Sequence, residues 1–192
     1  MHLIERATHL WLRLAAYHPP TAAHGQRVAL GMLEQAAALG VSQEGRLLAY
    51  LAGLLHDVGK LAVPVEVLDK PGRLTEEERA LILRHPLESE RLALAAGMPE
   101  AVARALRHHH ERWDGQGYPD GLAGPAIPWL ARGLAAVDAL DAMTEHRPYR
   151  PPRKREEALR ELEKERGRQF DPAWVDALLG RPASVPKRKT AT

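Results

Sequence analysis

Apolar residues recur at spacings of three and four from the N-terminus to about residue 180, and no run alternates polar residues with β-branched or aromatic ones. The first pattern belongs to helices and the second would belong to strands, so the chain is expected to be all-α. A first helix ends near Pro19-Pro20. Thr21 is placed to cap a second, whose stripe of Val28, Met32, Ala36 and Leu39 stops at Gly40. A third runs from about Gln43 to His56. Thr75 and Glu78 form a capping box for a helix expected to end at His85-Pro86, because a residue before proline avoids helical geometry. Pro86 and Pro99 suit the first positions of two further helices. Asp114 to Pro128 is dense in Gly, Pro and Asp and predicts a long structured loop. Helices from about Pro128 to Thr144, from Lys154 to Glu165 and after Asp171-Pro172 complete the reading. Residues 1–20 are assigned to an N-terminal helix, 21–180 to the main domain, and 181–192 to a basic tail expected to be mobile.

At 192 residues the chain has the length for one sizeable core. Lys and Arg number 27 against 25 Asp and Glu, a balance that excludes a general nucleic-acid binder on charge alone and makes any phosphate recognition local. With no cysteine, disulfides, thiolate zinc sites and cysteine nucleophiles are ruled out, leaving His, Asp and Glu as strong metal ligands. The apolar stretch around Leu10 to Leu14 is interrupted by Arg13 and is too short to span a membrane. A cytoplasmic protein is expected.

Helix phase selects among the ten histidines. His24 lies on the buried stripe of Val28 and Met32, a position that a hydrogen-bonded core histidine would fill equally well. His56-Asp57 emerges from the apolar run Leu47 to Leu55, and a buried acid there needs a partner or a cation. In His108-His109-His110, the second and third follow Leu106 by three and four residues and face inward. His108 shares a polar side with Arg104 and Glu111 and is left to solvent or a supporting role. Asp138 follows Leu134 by one turn on an apolar face, with Asp141 a competing candidate. Five imidazoles and two carboxylates from separate helices, His24, His56, Asp57, His85, His109, His110 and Asp138, form the inventory of a multi-metal site. Such a site activates water for in-line attack on phosphorus.

This ordered series resembles the HD-GYP branch of the HD phosphohydrolase superfamily. The segments that carry the resemblance are Leu55-His56-Asp57-Val58-Gly59-Lys60, His108 through Pro119 with its Gly117-Tyr118-Pro119, and Arg147-Pro148-Tyr149-Arg150; it extends from about Thr21 to Leu179. The resemblance implies an HD-type helical bundle binding two or three iron or manganese ions and hydrolysing cyclic di-GMP to pGpG, in some members onward to GMP. It implies Asp57 as a bridging carboxylate, the other six residues as further ligands, and Lys60 beside the attacking hydroxide or substrate phosphate. Arg147 and Arg150 are implied to hold substrate phosphates, a task that guanidinium forks suit; the alternative for both is a solvated turn in an arginine-rich chain. The Gly-Tyr-Pro loop is implied in substrate access or partner docking, with a diguanylate cyclase as one such partner.

Two departures narrow this expectation. Three-metal members carry a glutamate one turn before the first histidine, where Pro20 stands here, so two ions are expected; His18 is nearby but six residues from His24. Many relatives also carry an N-terminal receiver or sensory domain, whereas about 20 residues precede the match here, so regulation is expected to come from elsewhere or to be absent. Competing readings keep the metals with another nucleotide as substrate, or make the chain a non-catalytic receptor or docking module.

Overall fold

A computed structural model describes residues 2–145 and 152–181. These contain α1 (Leu3–Tyr17), α2 (Pro19–Ala38), α3 (Gln43–Leu55), a 3₁₀ turn (Val58–Ala62), α4 (Val65–Leu68), α5 (Glu76–Leu83), α6 (His85–Ala95), α7 (Glu100–His108), a 3₁₀ turn (Gly124–Ala126), α8 (Trp129–Thr144), α9 (Arg155–Lys164) and α10 (Pro172–Leu178). No strand occurs among the described residues, as the period of the apolar pattern predicts.

Prolines account for most of the boundary differences. Pro19 and Pro20 do not separate α1 from a helix capped by Thr21; they are the first two residues of α2, where an amide has no intrahelical partner to lose. The cap is His18, whose Nδ1 accepts from the Thr21 amide at 3.3 Å and lies 2.6 Å from the Thr21 hydroxyl. Similarly α5 stops at Leu83, and His85 and Pro86 are the first and second residues of α6. Pro99 caps α7 rather than entering it. The capping box of Thr75 and Glu78 forms as expected. The 3₁₀ turn after Asp57 and the short α4 carry too few residues for a helical period to register.

The core lies where α2, α3, α7, α8 and α10 meet. Val28 and Met32, Leu51 and Leu55, Leu106, Leu134 and Trp174 are essentially inaccessible to solvent, and α1 joins them through Ala7 and Leu10. Burying a side chain of this size stabilises by about 1.5–3 kcal/mol, so this cluster fixes the relative placement of the helices that carry the polar site. By contrast α5 buries none of its residues. No helix among the described residues is long and apolar enough to cross a membrane.

Candidate metal centre

The site is assembled from helix ends. His56 is the C-cap of α3 and Asp57 follows it; His109 is the C-cap of α7 and His110 follows it; His85 opens α6. Only His24, on α2, and Asp138, on α8, come from helix interiors. The carboxyl ends of α3 and α7 bring the negative ends of two helix dipoles to the same place, an arrangement that favours a cation.

Three rings are aimed by their own backbone. The Nδ1 atoms of His56, His85 and His109 lie 2.8, 2.6 and 2.6 Å from the carbonyl oxygens of Gly53, Ile82 and Leu106, each three residues earlier. Those acceptors hold the proton on Nδ1 and leave Nε2 bare. His56 Nε2 is buried without a hydrogen-bond partner among the described residues. His85 Nε2 and His109 Nε2 face each other at 3.2 Å. Two bare lone pairs at that distance repel unless an electrophile lies between them, so the donor set fits a divalent cation.

Two groups of three residues place their ligand-type atoms close enough together to hold an ion: His85, His109 and His110 on one side, and His24, His56 and Asp57 on the other. Asp57 joins them. Its Oδ1 is 3.2 Å from His85 Nε2, while its Oδ2 is 3.5 Å from His56 Nε2 and 4.0 Å from His24 Nε2. Lys60, in the 3₁₀ turn, reaches Asp57 Oδ2 at 2.6 Å. Asp138 Oδ1 lies 2.9 Å from His24 Nε2, and Asp141 Oδ2 lies 2.6 Å from His24 Nδ1. The two acids that helix phase could not rank therefore take opposite nitrogens of one ring.

Burial and charge sort the protonation states. Burial holds His56, His109 and His110 below the usual histidine range; for His110, burial, with His85 beside it, brings it to about 4. They are neutral at pH 7 and free to donate to a metal. Burial opposes ionisation of Asp57, but Lys60, His56 and His85 outweigh it and hold the carboxyl well below its ordinary value. Asp138 is likewise driven down, burial being outweighed by His24 and His56. His24 goes the other way, to about 9, because hydrogen bonds to Asp138 and Asp141 overcome its burial.

Ser89 and the 112–124 loop support the centre. Ser89 donates to the His56 carbonyl at 2.7 Å and accepts the Gly59 amide at 2.8 Å, tying the His-Asp turn to α6. A side chain at Gly59 would strike the His85 carbonyl and come within 2.6 Å of the Ser89 nitrogen, so α6 could not approach. In the loop, Glu111 is buried and accepts the amides of Asp120 and Leu122, at 2.7 and 3.1 Å. Asp120 is gripped by the Arg107 fork at 2.7 and 2.9 Å and by His108 Nε2 at 2.8 Å. His108 is thus buried and supports the loop; the solvent alternative is excluded. Tyr118 stacks on His110, with ring centroids 5.0 Å apart.

All seven residues selected from the sequence as candidate ligands therefore converge, with Lys60 against them. Arg147 and Arg150 lie outside the described residues. Pro20 has no ligand atom to offer from the first turn of α2, and His18 is engaged through Nε2 by Asp69 at 3.0 Å. Sequence reasoning missed Ser89, Arg27, Glu111 and Asp120, polar residues whose helical or loop positions carry no signal of their partners.

A helical bundle around two imidazole groups joined by a carboxylate defines a protein with a two-part, metal-competent centre. The chain belongs to the HD domain family, whose sequence profile matches residues 10–174. Over 144 residues it is 46% identical to the cyclic di-GMP phosphodiesterase response regulator RpfG of Xanthomonas campestris pv. campestris, covering 73% of this chain and 38% of that protein. It is 42% identical over 127 residues to 3'3'-cGAMP-specific phosphodiesterase 1 of Vibrio cholerae, covering 66% of this chain and 30% of that one. The chain thus spans well under half the length of these relatives. The fold is shared with the V. cholerae phosphodiesterase V-cGAP3, at TM-score 0.64 and 23% identity over 82% of this chain and 43% of that one. It is also shared with the HD domain of the Listeria monocytogenes phosphodiesterase PgpH in complex with cyclic di-AMP, at TM-score 0.66 and 19% identity over 88% and 91%.

Proposed function

We propose that the chain is a metal-dependent phosphodiesterase that hydrolyses cyclic di-GMP to pGpG, with GMP as the alternative end product. The observation that carries this reading is the position of Asp57, with one carboxylate oxygen toward each imidazole group. His24, His56 and Asp138 would hold one divalent ion and His85, His109 and His110 a second, iron or manganese, with Asp57 between them. When bound, such ions acidify water and neutralise charge at phosphorus. The protein's own part is placement. The backbone carbonyls fix which imidazole nitrogens are bare, and the Asp57 carboxylate stays ionised against its burial. Lys60 Nζ, partly buried and anchored on Asp57, presents a cation to a phosphate oxygen as negative charge grows there. Arg147 and Arg150 complete the phosphate contacts in this reading, and the ring of Tyr118 borders the approach beside His110.

A second reading, another cyclic dinucleotide as substrate, is favoured by the 42% identity to a relative named as specific for 3'3'-cGAMP. Protein purified without oxygen and loaded with Fe²⁺ or Mn²⁺ should linearise cyclic di-GMP faster than 3'3'-cGAMP, and Asp57→Ala should abolish turnover. The reverse preference establishes the second reading; inactivity of fully loaded protein on both rejects the enzyme. A cytoplasmic location and a diguanylate cyclase docking on the Gly-Tyr-Pro loop belong to the same proposal, tested by fractionation and by co-purification with such a cyclase.

A further inference from the structure

We propose that Asp141, clamped by Arg27, is a positioning residue that makes the ion place on the His24 side the tighter of the two, so that the centre fills in a fixed order. The inference rests on the metal-centre reading above.

His24 differs from the three rings aimed by backbone. Its Nδ1 meets a carboxylate, Asp141 Oδ2 at 2.6 Å, where His56, His85 and His109 meet neutral carbonyl oxygens. A charged acceptor on the far nitrogen locks the plane of the ring and, once a cation displaces the proton on the near nitrogen, makes that nitrogen a stronger electron-pair donor. The near nitrogen, Nε2, lies on the Asp138 and Asp57 side, at 2.9 and 4.0 Å. Asp138 and Asp141, one turn apart on α8, thus hold both edges of a ring that belongs to α2.

The carboxylate is itself held. Arg27, one turn after His24 on α2, donates Nε to Asp141 Oδ1 at 2.8 Å and Nη2 to Asp141 Oδ2 at 3.0 Å. Such a two-point fork leaves the acid one orientation. The chain His24, Asp141, Arg27 laces α2 to α8 directly behind the ligand, and Asp141 is largely shielded from water.

Carboxylates are distributed unequally as well. The His24 side has Asp138 and Asp141 in addition to its share of Asp57, whereas the opposite group is three imidazoles and the other Asp57 oxygen. Arg27 offsets the charge of Asp141, and Lys60 leans on Asp57 Oδ2, so the asymmetry is not one of net charge: it lies in Asp138 as a second carboxylate beside the ion place and in the Asp141 hydrogen bond to His24. A divalent cation entering an empty centre therefore goes first to the His24 side.

Metal-stripped protein titrated with Mn²⁺, followed calorimetrically and by the loss of the free-ion paramagnetic resonance signal, tests this. Wild type should bind two ions in separable steps, and His110→Ala should lose the weaker one. Asp141→Asn retains an oxygen for the Nδ1 proton but removes the charge; it should weaken the tighter step by roughly 10–100-fold and leave the other within about twofold. Arg27→Gln should act in the same direction and by less. Thermal unfolding of the stripped variants separates this from misfolding, because a general loss of structure weakens both steps. The proposal is overturned if wild type binds two ions in one unresolved step, or if Asp141→Asn spares the tighter step or weakens both alike. Failure of wild type to bind Mn²⁺ at all rejects the metal centre instead.

Discussion

Ser89 satisfies two backbone groups at the turn that presents His56 and Asp57. Ser89→Ala would leave a buried amide and a buried carbonyl without partners, each costing about 1–3 kcal/mol, and denaturant unfolding should register a loss of that size. Under the proposed function Lys60 has a different kind of role. Lys60→Met should leave Mn²⁺ binding intact while lowering turnover of the preferred dinucleotide by roughly 10²-fold, since a donor at a phosphate acts on the transition state. Single-turnover kinetics on loaded protein would separate the two effects. Helix phase located Lys60's neighbours because ligands on helices inherit the stripe of the core: Leu106 points His109 and His110 inward, and Val28 does so for His24. It could not separate Asp138 from Asp141, one turn apart on the same face, because their division of labour depends on a ring from another helix. Ser89 was invisible for the same reason.

The 112–124 loop is held at both ends by side chains acting on backbone or on each other. Arg107 and then His108 hold Asp120 at about 2, below its ordinary 3.8. A carboxyl whose folded value is depressed contributes stability that is present above the unfolded value and lost as pH falls through the folded one. Asp120 should therefore stabilise above about pH 4 and cease to do so near pH 2. The difference in denaturation midpoint between wild type and Asp120→Asn should shrink across that window and remain constant from pH 5 to 7. Elements were legible wherever a period or a cap extended over several residues, as with Thr75 and Glu78. They were not where a proline has two meanings: Pro19-Pro20 reads as a break and is a helix start. The placement of His85 at the head of α6 follows the same rule and puts a ligand where a helix end was expected.

Across the molecule, the polar centre takes its candidate ligands from α2, α6 and α8 and from the ends of α3 and α7. Its geometry depends on the apolar cluster of Met32, Leu55, Leu106 and Leu134; periodicity made the helices legible, and the family resemblance implied their bundle. The dependence also runs the other way. Ions that bind the folded state stabilise it by about 2.7 kcal/mol at a hundredfold excess over Kd. For a domain of this size that is a rise in Tm of roughly 5–10 °C. Calorimetric scans with and without Mn²⁺ should show the rise in wild type and not in Asp57→Ala.

Asp57 has a consequence for how the molecule breathes. As the group shared by both imidazole sets, it sits where openings of separate helices would have to be coordinated. In stripped protein, α6 and α2 are free to open with their own energies, and their amides should exchange with deuterium at distinct rates. Ions held by both imidazole sets beside Asp57 would tie the two helices together, so that neither could leave alone. The slow amides of α2, α6 and α8 should then converge on one exchange rate, and in Asp57→Ala they should remain dispersed whatever the metal concentration.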